Sequence, residues 1–146
     1  MSANLFGTAE SDKRILVVDF GAQYAQLIAR RVRESNVYSE IVSHELDAEN
    51  FAELKPSGII FSGGPASVNV EGAPKIDPAI YELGVPILGI CYGAQLIAQQ
   101  NGGSVEGNEK GEYGRTVVNV NESGILLSGV ETSTQQVWMS HFDSIT

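Results

Sequence analysis

The chain has 146 residues, enough for one domain with a single hydrophobic core and too few for two domains of ordinary size. Apolar residues make up 42% and charged residues 18% of the sequence, a globular balance that excludes an intrinsically disordered chain. The formal net charge of −9 argues against a nucleic-acid partner, because phosphate binding needs a basic face.

The N-terminus and the cysteine content indicate the compartment. Residues 1–13 are polar and lack the apolar core of a signal peptide, so we expect a flexible leader ahead of a domain over residues 14–146. The one cysteine, Cys91, excludes an internal disulfide, and the sequence has no run of about 20 apolar residues that could cross a membrane. We therefore expect a cytoplasmic protein with no membrane partner.

Four strand–helix units follow one another up to residue 103. Three of the predicted strands are continuous apolar runs, the pattern of strands buried on both faces of a parallel sheet. This alternation predicts an α/β fold with a doubly wound, mostly parallel sheet. The predicted strands are RILVVDFG, YSEIVSH, SGIIFSGGP and VPILGIC, and the helices are AQYAQLIARRVRES, DAENFAELKP, DPAIYELG and GAQLIAQQNGG.

The predicted helices carry their own boundary signals. Asp47 and Asp77 stand at N-cap positions, and Pro78 follows at a first helical position, where its missing N–H is not needed. Pro56 stops the second helix. The predicted buried face of the first helix consists of Tyr24, Leu27, Ile28 and Val32, and its arginines fill the solvated side.

The character of the sequence changes after residue 104. The segments GRTVVNVNESGILLSG and QQVWMSHFDSIT have the glycine and asparagine turns that are typical of antiparallel strands. No helical segment follows them to cover the sheet. We therefore expect the C-terminal part of the domain to lie outside these 146 residues, which makes the chain a fragment of a longer polypeptide.

A cysteine between two glycines follows the fourth predicted strand. In GICYG, Gly89 and Gly93 flank Cys91 in the pattern of a nucleophile elbow, a turn so sharp that larger flanking side chains would collide. The nucleophile of such a turn has a strained backbone and lies at a helix N-terminus, which favours a thiolate. The pattern favours a nucleophilic Cys91, with the Tyr92 amide as an oxyanion donor, over a buried and inert cysteine.

Two other turns end predicted strands at the same edge, where ligand chemistry is expected in such folds. Gly63 and Gly64 in SGGP leave backbone N–H groups accessible, so this turn is either a plain strand breaker or the second half of an oxyanion hole. In DFGAQY, Asp19 and Gln23 either form a helix-capping turn or line the wall of the active-site pocket.

A cysteine nucleophile needs a base, which is usually a histidine. The two histidines are His44, at the end of the second predicted strand, and His141, two residues before Asp143. His44 is interpreted as a partly exposed polar residue. A triad of Cys91, His141 and Asp143 stays open on the residues alone, because triads are assembled in space.

Five segments in order resemble the glutamine amidotransferase domain of GMP synthases, a class I, triad-type amidotransferase. They are ILVVDFGAQYAQLIARRVRE, GIIFSGGPASV, DPAIYELGVPILGICYGAQLIAQQNGG, EYGR and VWMSHFDS. In that family a cysteine attacks the side-chain amide of L-glutamine, ammonia leaves, and water hydrolyses the glutamyl thioester. The ammonia passes to an ATP pyrophosphatase (synthetase) domain or subunit, which uses magnesium-ATP to aminate XMP to GMP.

The resemblance implies a flavodoxin-like amidotransferase fold and roles for six residues. The implied roles are nucleophile for Cys91, oxyanion-hole amides for Gly64 and Tyr92, and binding of the amino-acid end of glutamine for Gln95, His141 and Asp143. It implies no metal or cofactor in this domain, because ATP and magnesium belong to the synthetase part. A homodimer of the full-length protein stays open.

The resemblance also answers the triad question and marks one departure. The family's base histidine and its glutamate lie in a later FHPE segment that residues 1–146 do not contain, so the chain alone is expected to be inactive. The family usually has glycine where Phe142 stands, and a positive φ there would strain phenylalanine. The alternatives are a non-catalytic amidotransferase-like binding module and an amidotransferase of another biosynthetic pathway, and DFGAQY and EYGR argue against the latter.

Overall fold

The computed structural model describes residues 13–64, 67–130 and 133–146. They fall into two compact units, one that runs up to Val105 and includes Ile145, and one formed by Glu106–Ser144 with Thr146. The predicted leader lies, apart from Lys13, outside the described residues, and so does Pro65 of the SGGP turn.

The first unit is a parallel sheet with helices between its strands. Its elements in chain order are β1 (Arg14–Asp19), α1 (Tyr24–Glu34), β2 (Tyr38–Ser43), α2 (Ala48–Glu53), β3 (Gly58–Phe61), a 3-10 helix (Pro78–Glu82), β4 (Ile87–Gly89) and α3 (Tyr92–Gln100). The strands lie in the order β2-β1-β3-β4, and every neighbouring pair is parallel. This arrangement confirms the predicted α/β fold.

The strand order places a topological switch point between β1 and β3. The chain leaves β1 for β2 on one side and returns to β3 on the other. At the carboxyl ends, Val18 of β1 pairs with Phe61 of β3, which pairs in turn with Gly89 of β4. Three strand ends therefore meet at one edge, and ligands of open α/β sheets bind in the crevice beside such a point.

Side chains of β1 alternate between two apolar layers, one on each face of the sheet. Leu16 and Val18 pack into the larger layer, whereas Val17 packs against the buried Ala25 and Ala29 of α1. The larger layer also holds Phe51 of α2, Ile80 of the 3-10 helix, Leu96 of α3, and Phe20 and Phe61. Burying each large apolar side chain stabilises the fold by about 1.5–3 kcal/mol. Because α1 packs in one layer and the other helices pack in the opposite layer, both faces of the sheet are covered and the sheet is doubly wound.

The face of α1 that packs on the sheet differs from the predicted one. Tyr24 and Leu27 are 63% and 55% exposed, so the prediction that they are buried is wrong. Ala25 and Ala29 are buried instead, with Ile28 partly buried beside them. The small alanine side chains let the helix approach the sheet closely, which moves the larger residues outward.

Two of the arginines of α1 lie in solvent, as predicted, whereas Arg33 donates to the Ser39 hydroxyl at 3.1 Å. Arg30 and Arg31 donate to the two carboxylate oxygens of Glu34 at 3.1 and 3.0 Å, and both arginine side chains are largely exposed. Exposed ion pairs at this helical spacing contribute only about 0.3–0.5 kcal/mol to stability. Arg30 and Arg31 therefore belong to a solvated face of the helix.

Side-chain caps begin two helices where the sequence predicts them. The Asp47 carboxylate accepts a hydrogen bond from the Asn50 amide at 2.9 Å at the start of α2. Asp77 accepts from the amides of Ala48, at 2.9 Å, and Ala79, at 3.0 Å, and so joins the 3-10 helix to α2. The hydrogen bond from the Ala48 amide, and to a smaller extent that from Ala79, holds the pKa of Asp77 below its ordinary value.

The third predicted helix is present, although only as a short 3-10 helix.

The second unit is a two-stranded antiparallel ribbon. It contains all but the first residue of β5 (Val105–Asn119) and all but the last residue of β6 (Thr134–Ile145). A Cβ atom on Gly107 would lie 3.2 Å from the Phe142 ring, and the Val120 amide donates to the Ser133 carbonyl at 2.6 Å, so the two strands run in opposite directions. This confirms the predicted antiparallel strands, although β5 begins earlier than predicted. Within the described ranges, no helix is long and apolar enough to span a membrane.

Candidate active site

Cys91 stands between β4 and α3 in a backbone conformation that side chains rarely adopt. Its φ is 52° and its ψ is −113°, which is the mirror image of ordinary extended backbone. Among the described non-glycine residues, only Asn36 and Lys55 also have a positive φ. Holding a side chain there costs about 1–3 kcal/mol, and such strain clusters at functional sites. The strained turn predicted from GICYG is therefore present, and Cys91 is exposed.

The two flanking glycines are required by close packing. A Cβ atom on Gly89 would lie 2.6 Å from the backbone of Ala94, and one on Gly93 would lie 2.5 Å from Cβ and the carbonyl oxygen of Phe61. Each collision is with a neighbouring element: Gly89 meets the first turn of α3, and Gly93 meets the end of β3. The prediction that glycine is needed on both sides of Cys91 is confirmed, and the structure identifies the atoms responsible.

The SGGP turn lies directly beside the elbow. The Ile90 amide donates to the Phe61 carbonyl at 3.0 Å, and the Gly93 amide donates to the Ser62 carbonyl at 3.1 Å, so the elbow is bonded to the end of β3. A Cβ atom on Gly63 would lie 3.8 Å from Cβ of Cys91, which is ordinary contact. The structure therefore brings the turn and Cys91 together.

Gly64, Tyr92 and Gln95 complete the group of predicted site residues in the first unit. A Cβ atom on Gly64 would lie 2.7 Å from the Tyr92 ring, so Gly64 is in contact with the residue that follows Cys91. Gln95 lies one helical turn beyond Cys91, and its amide donates to the Cys91 carbonyl at 3.1 Å. Its side chain is therefore on the same side of α3 as the elbow.

A cleft of about 800 Å³ opens beside Gly64 at the switch point of the sheet. Its walls include Asp19, Gln23, Tyr24, Leu27 and Gly64. Asp19 accepts a hydrogen bond from the Gly21 amide at 2.7 Å, so it closes the turn as well as lining the cleft. Gln23 stands at the N-cap of α1 without a side-chain capping bond, which favours the pocket-wall alternative for this residue. The cleft also explains why Tyr24 and Leu27 are exposed.

His141 and Asp143 lie in the second unit, on β6. His141 Nδ1 is 2.7 Å from the backbone carbonyl of Asp143, and Nε2 is 2.8 Å from the Glu112 carboxylate. Both partners have acceptor oxygens, and the tautomer of the ring determines which nitrogen donates. The carboxylate on His141 belongs to Glu112 rather than to Asp143, which differs from the arrangement that a triad with Asp143 requires.

Glu112 is the one residue of this cluster that no sequence pattern singled out. It lies in EYGR, a segment whose only sequence signal is the family resemblance. Its pairing with His141 joins β5 to β6 over a separation of 29 residues. Such a long-range contact has no local sequence signal.

Phe142 causes no backbone strain in this structure. It lies within β6 and is absent from the described residues that have a positive φ. Its ring lies over the backbone of Gly107, where the missing side chain leaves room for it.

His44 has the structural surroundings expected of a polar residue at a strand end. Its ring stacks on Phe20 with 5.8 Å between ring centroids, and Nδ1 is 3.1 Å from the Lys75 carbonyl. Among the residues that the structure describes, no three His, Cys, Asp or Glu side chains come together to hold a metal ion.

Comparison with known proteins places this chain in a family. The class-I glutamine amidotransferase family model matches residues 16–146. Among similar proteins, the glutamine-hydrolysing GMP synthase of Nocardia farcinica is 55% identical over 138 residues, which are 94% of this chain and 26% of that protein. The GMP synthase of Mycobacterium leprae is 52% identical over 145 residues, 99% of this chain and 27% of that protein. The chain thus spans about a quarter of the length of the curated relatives that it matches.

A solved structure supports both the fold and the resemblance. A Thermoplasma acidophilum protein, described as a candidate subunit of a GMP synthase, superposes with a TM-score of 0.76 at 34% identity, covering 91% of this chain and 66% of that one. The resemblance to GMP synthases that the five segments predict is confirmed. Because the family model matches almost the whole sequence, the chain belongs to the class-I glutamine amidotransferase family.

Proposed function

We propose that the chain is the glutamine-hydrolysing part of a GMP synthase, with Cys91 as its nucleophile. Family membership and the GMP synthase relatives support the assignment. The observation that carries it is the strained backbone of Cys91, an exposed residue that stands between two glycines with no room for a Cβ atom. A buried, inert cysteine has no need of such a turn.

The proposed reaction begins with attack of the Cys91 thiolate on the side-chain amide carbon of glutamine. A C–S bond forms, and the carbonyl oxygen becomes an oxyanion that accepts hydrogen bonds from the amides of Tyr92 and Gly64. The amide nitrogen takes up a proton, the C–N bond breaks as the oxyanion becomes a carbonyl again, and neutral ammonia leaves. Water attacks the resulting glutamyl thioester, releasing glutamate and restoring the thiol.

The substrate end of the proposed site consists of Gln95, His141 and Asp143, which would hold the amino and carboxylate groups of glutamine. For Gln95, the support is its position one helical turn beyond Cys91. For His141 and Asp143 the support is the family motif alone, because they lie in the other unit.

The ammonia would be used elsewhere in the complete enzyme. We propose that it passes to a synthetase domain or subunit, which uses ATP and magnesium to activate XMP, and that amination gives GMP. The general base and its carboxylate would also come from outside residues 1–146, because the family's FHPE segment is absent from these residues. Cys91, Gly64 and Tyr92 would then position and stabilise the intermediate, while the base moves the protons.

The proposal can be tested with an electrophilic analogue of glutamine that carries a diazoketone in place of the amide. Cys91 is the only cysteine, so a label on a thiol reports this residue alone, and peptide mapping separates it from any label on a carboxylate. We expect one label per chain, slowed by excess L-glutamine and unaffected by D-glutamine. Cys91→Ser should remain unlabelled. Labelling at the same rate with and without L-glutamine would show that these residues form no glutamine site, as a non-catalytic module predicts.

A further inference from the structure

Side chains of α3 hold the segment that follows the SGGP turn. This segment, residues 67–77, has no regular helix or strand, and it ends at the 3-10 helix. Segments of this kind open more easily than strands or helices unless other contacts restrain them. The restraining hydrogen bonds run from Tyr92 to the Pro74 carbonyl, from Gln100 to the Ile76 carbonyl at 2.9 Å, and from Lys75 to Gln99 at 2.6 Å.

Tyr92 differs from Gln99 and Gln100 because its side chain contacts both the glycine turn, at Gly64, and the segment that follows it, at Pro74. Its ring lies against Gly64, where an added Cβ atom would come within 2.7 to 3.1 Å of three ring carbons. Its hydroxyl donates to the carbonyl of Pro74, ten residues further along the chain. One side chain therefore joins the beginning of α3 to the glycine turn and to the loop beyond it.

The Tyr92 ring is itself held firmly. It is 3% exposed, and its centroid lies 5.4 Å from that of Phe20, which lies 5.5 Å from that of Phe61 at the end of β3. Rings at these separations pack favourably beyond the area that they bury. The ring is thus fixed by the core of the sheet, and Gly64 rests against it.

The two amides proposed for the oxyanion hole come from different elements. The Tyr92 amide belongs to the start of α3, whereas the Gly64 amide belongs to the loop after β3. Oxyanion stabilisation is strong only when both donors are fixed before the reaction begins. Some contact must therefore fix the loop amide relative to the helix amide.

We propose that Tyr92 is a positioning residue for the Gly64 amide. Its ring contacts Gly64 and so fixes where the glycine turn lies, and its hydroxyl holds the following loop through the Pro74 carbonyl. This inference rests on the proposed function, in which Gly64 donates to the oxyanion. Burial raises the pKa of Tyr92, so the hydroxyl remains a donor throughout the neutral range. The Tyr92 side chain thus acts through the backbone of Gly64.

The test compares Tyr92→Phe, which keeps the ring and loses the hydroxyl, with Tyr92→Leu, which loses both. Tyr81→Phe is the matched control, because the partly buried Tyr81 hydroxyl donates at 2.7 Å to Gln100, which holds the far end of the segment at Ile76 rather than the Gly64 turn. Each variant of the 146-residue chain is labelled at Cys91 with iodoacetamide, which needs no oxyanion hole, and with the diazoketone analogue of glutamine. Amide hydrogen exchange at Gly64 is followed by NMR.

We expect Tyr92→Phe to speed exchange at Gly64 and to slow the diazoketone reaction about tenfold, because small displacements of positioned groups have effects of this order. Tyr92→Leu should slow it further. Iodoacetamide labelling should change less than about twofold in Tyr92→Phe and Tyr81→Phe, since both variants keep the aromatic ring and Cys91 itself is not moved. Tyr81→Phe should leave exchange at Gly64 and both labelling rates unchanged.

Two results would overturn the inference. One is unchanged Gly64 exchange in Tyr92→Phe and Tyr92→Leu. The other is that Tyr92→Phe and Tyr81→Phe slow the iodoacetamide and diazoketone reactions by the same factor. This result would indicate a general loss of stability rather than an effect on the Gly64 amide. A wild-type chain whose diazoketone labelling L-glutamine does not slow would instead refute the proposed function, and Gly64 exchange would still decide whether Tyr92 positions the turn.

Discussion

Gly93 and Phe61 are in such close contact that a Cβ atom on Gly93 would lie 2.5 Å from both Cβ and the carbonyl oxygen of Phe61. The contact joins the first turn of α3 to the end of β3, and the Gly93 amide strengthens it by donating to Ser62 at 3.1 Å. It fixes the elbow beside the glycine turn, so the position of Cys91 depends on the absence of a side chain two residues further on.

Gly93→Ala is therefore expected to destabilise the chain by about 1–3 kcal/mol, the usual cost of forcing extra atoms into a packed core. Gly63→Ala is the control, because its Cβ atom would meet Cys91 at an unstrained 3.8 Å. Urea unfolding followed by circular dichroism measures both variants. Equal stability of the two variants would contradict the packing argument.

The backbone strain at Cys91 predicts a stabilising substitution. Glycine adopts mirror-image extended backbone without strain, whereas alanine does not. Cys91→Gly should therefore be about 1 kcal/mol more stable than Cys91→Ala, after allowance for the greater freedom of glycine in the unfolded chain. The free energies of unfolding of the two variants supply the measurement. An alanine variant at least as stable as the glycine variant would show that the turn is relaxed.

The lowered pKa of Asp77 predicts a specific acid sensitivity. Its two backbone hydrogen bonds favour the ionised carboxylate, so the stabilisation is complete above the unfolded value of about 3.9 and is lost as the pH falls through the lower folded value. Wild type should therefore lose stability relative to Asp77→Asn on acidification through this range. Urea unfolding at successive pH values measures the difference, and a difference independent of pH would contradict the assignment.

Residues 1–146 alone are expected to release no ammonia from glutamine above the level of Cys91→Ser. We expect this because the proposed general base lies outside residues 1–146, and because both ring nitrogens of His141 lie within hydrogen-bond distance of other groups, the Glu112 carboxylate and the Asp143 carbonyl. A coupled assay for ammonia measures the rate. Release that depends on Cys91 would contradict this expectation and would make His141 a candidate base again.

Much of the fold could be predicted from local signals, because apolar runs, caps and turn glycines act over a few residues. Asp47 and Asp77 cap the helices that the sequence assigns to them, and GICYG forms the strained turn that its glycines predict. The buried face of α1 could not be predicted in the same way. Alanine is only weakly hydrophobic, so Ala25 and Ala29 contribute little to the apolar pattern of the helix. The larger Tyr24 and Leu27 dominate that pattern and predict the wrong face.

The contacts that arrange the candidate site were also beyond local patterns. The pairing of Glu112 with His141 and the bond from Tyr92 to Pro74 join residues far apart in the sequence. Glutamate, histidine and tyrosine in these places have no periodicity that would single them out. Their partners are set by which strands and loops the fold brings together.

Peptide mass spectrometry that maps the diazoketone label with and without L-glutamine shows whether Cys91 is the nucleophile of a glutamine site. We expect a single labelled peptide that contains Cys91, and we expect L-glutamine to slow its labelling in proportion to the fraction of sites that L-glutamine occupies. Labelling that L-glutamine does not slow, or a label on any other residue, would contradict this role of Cys91.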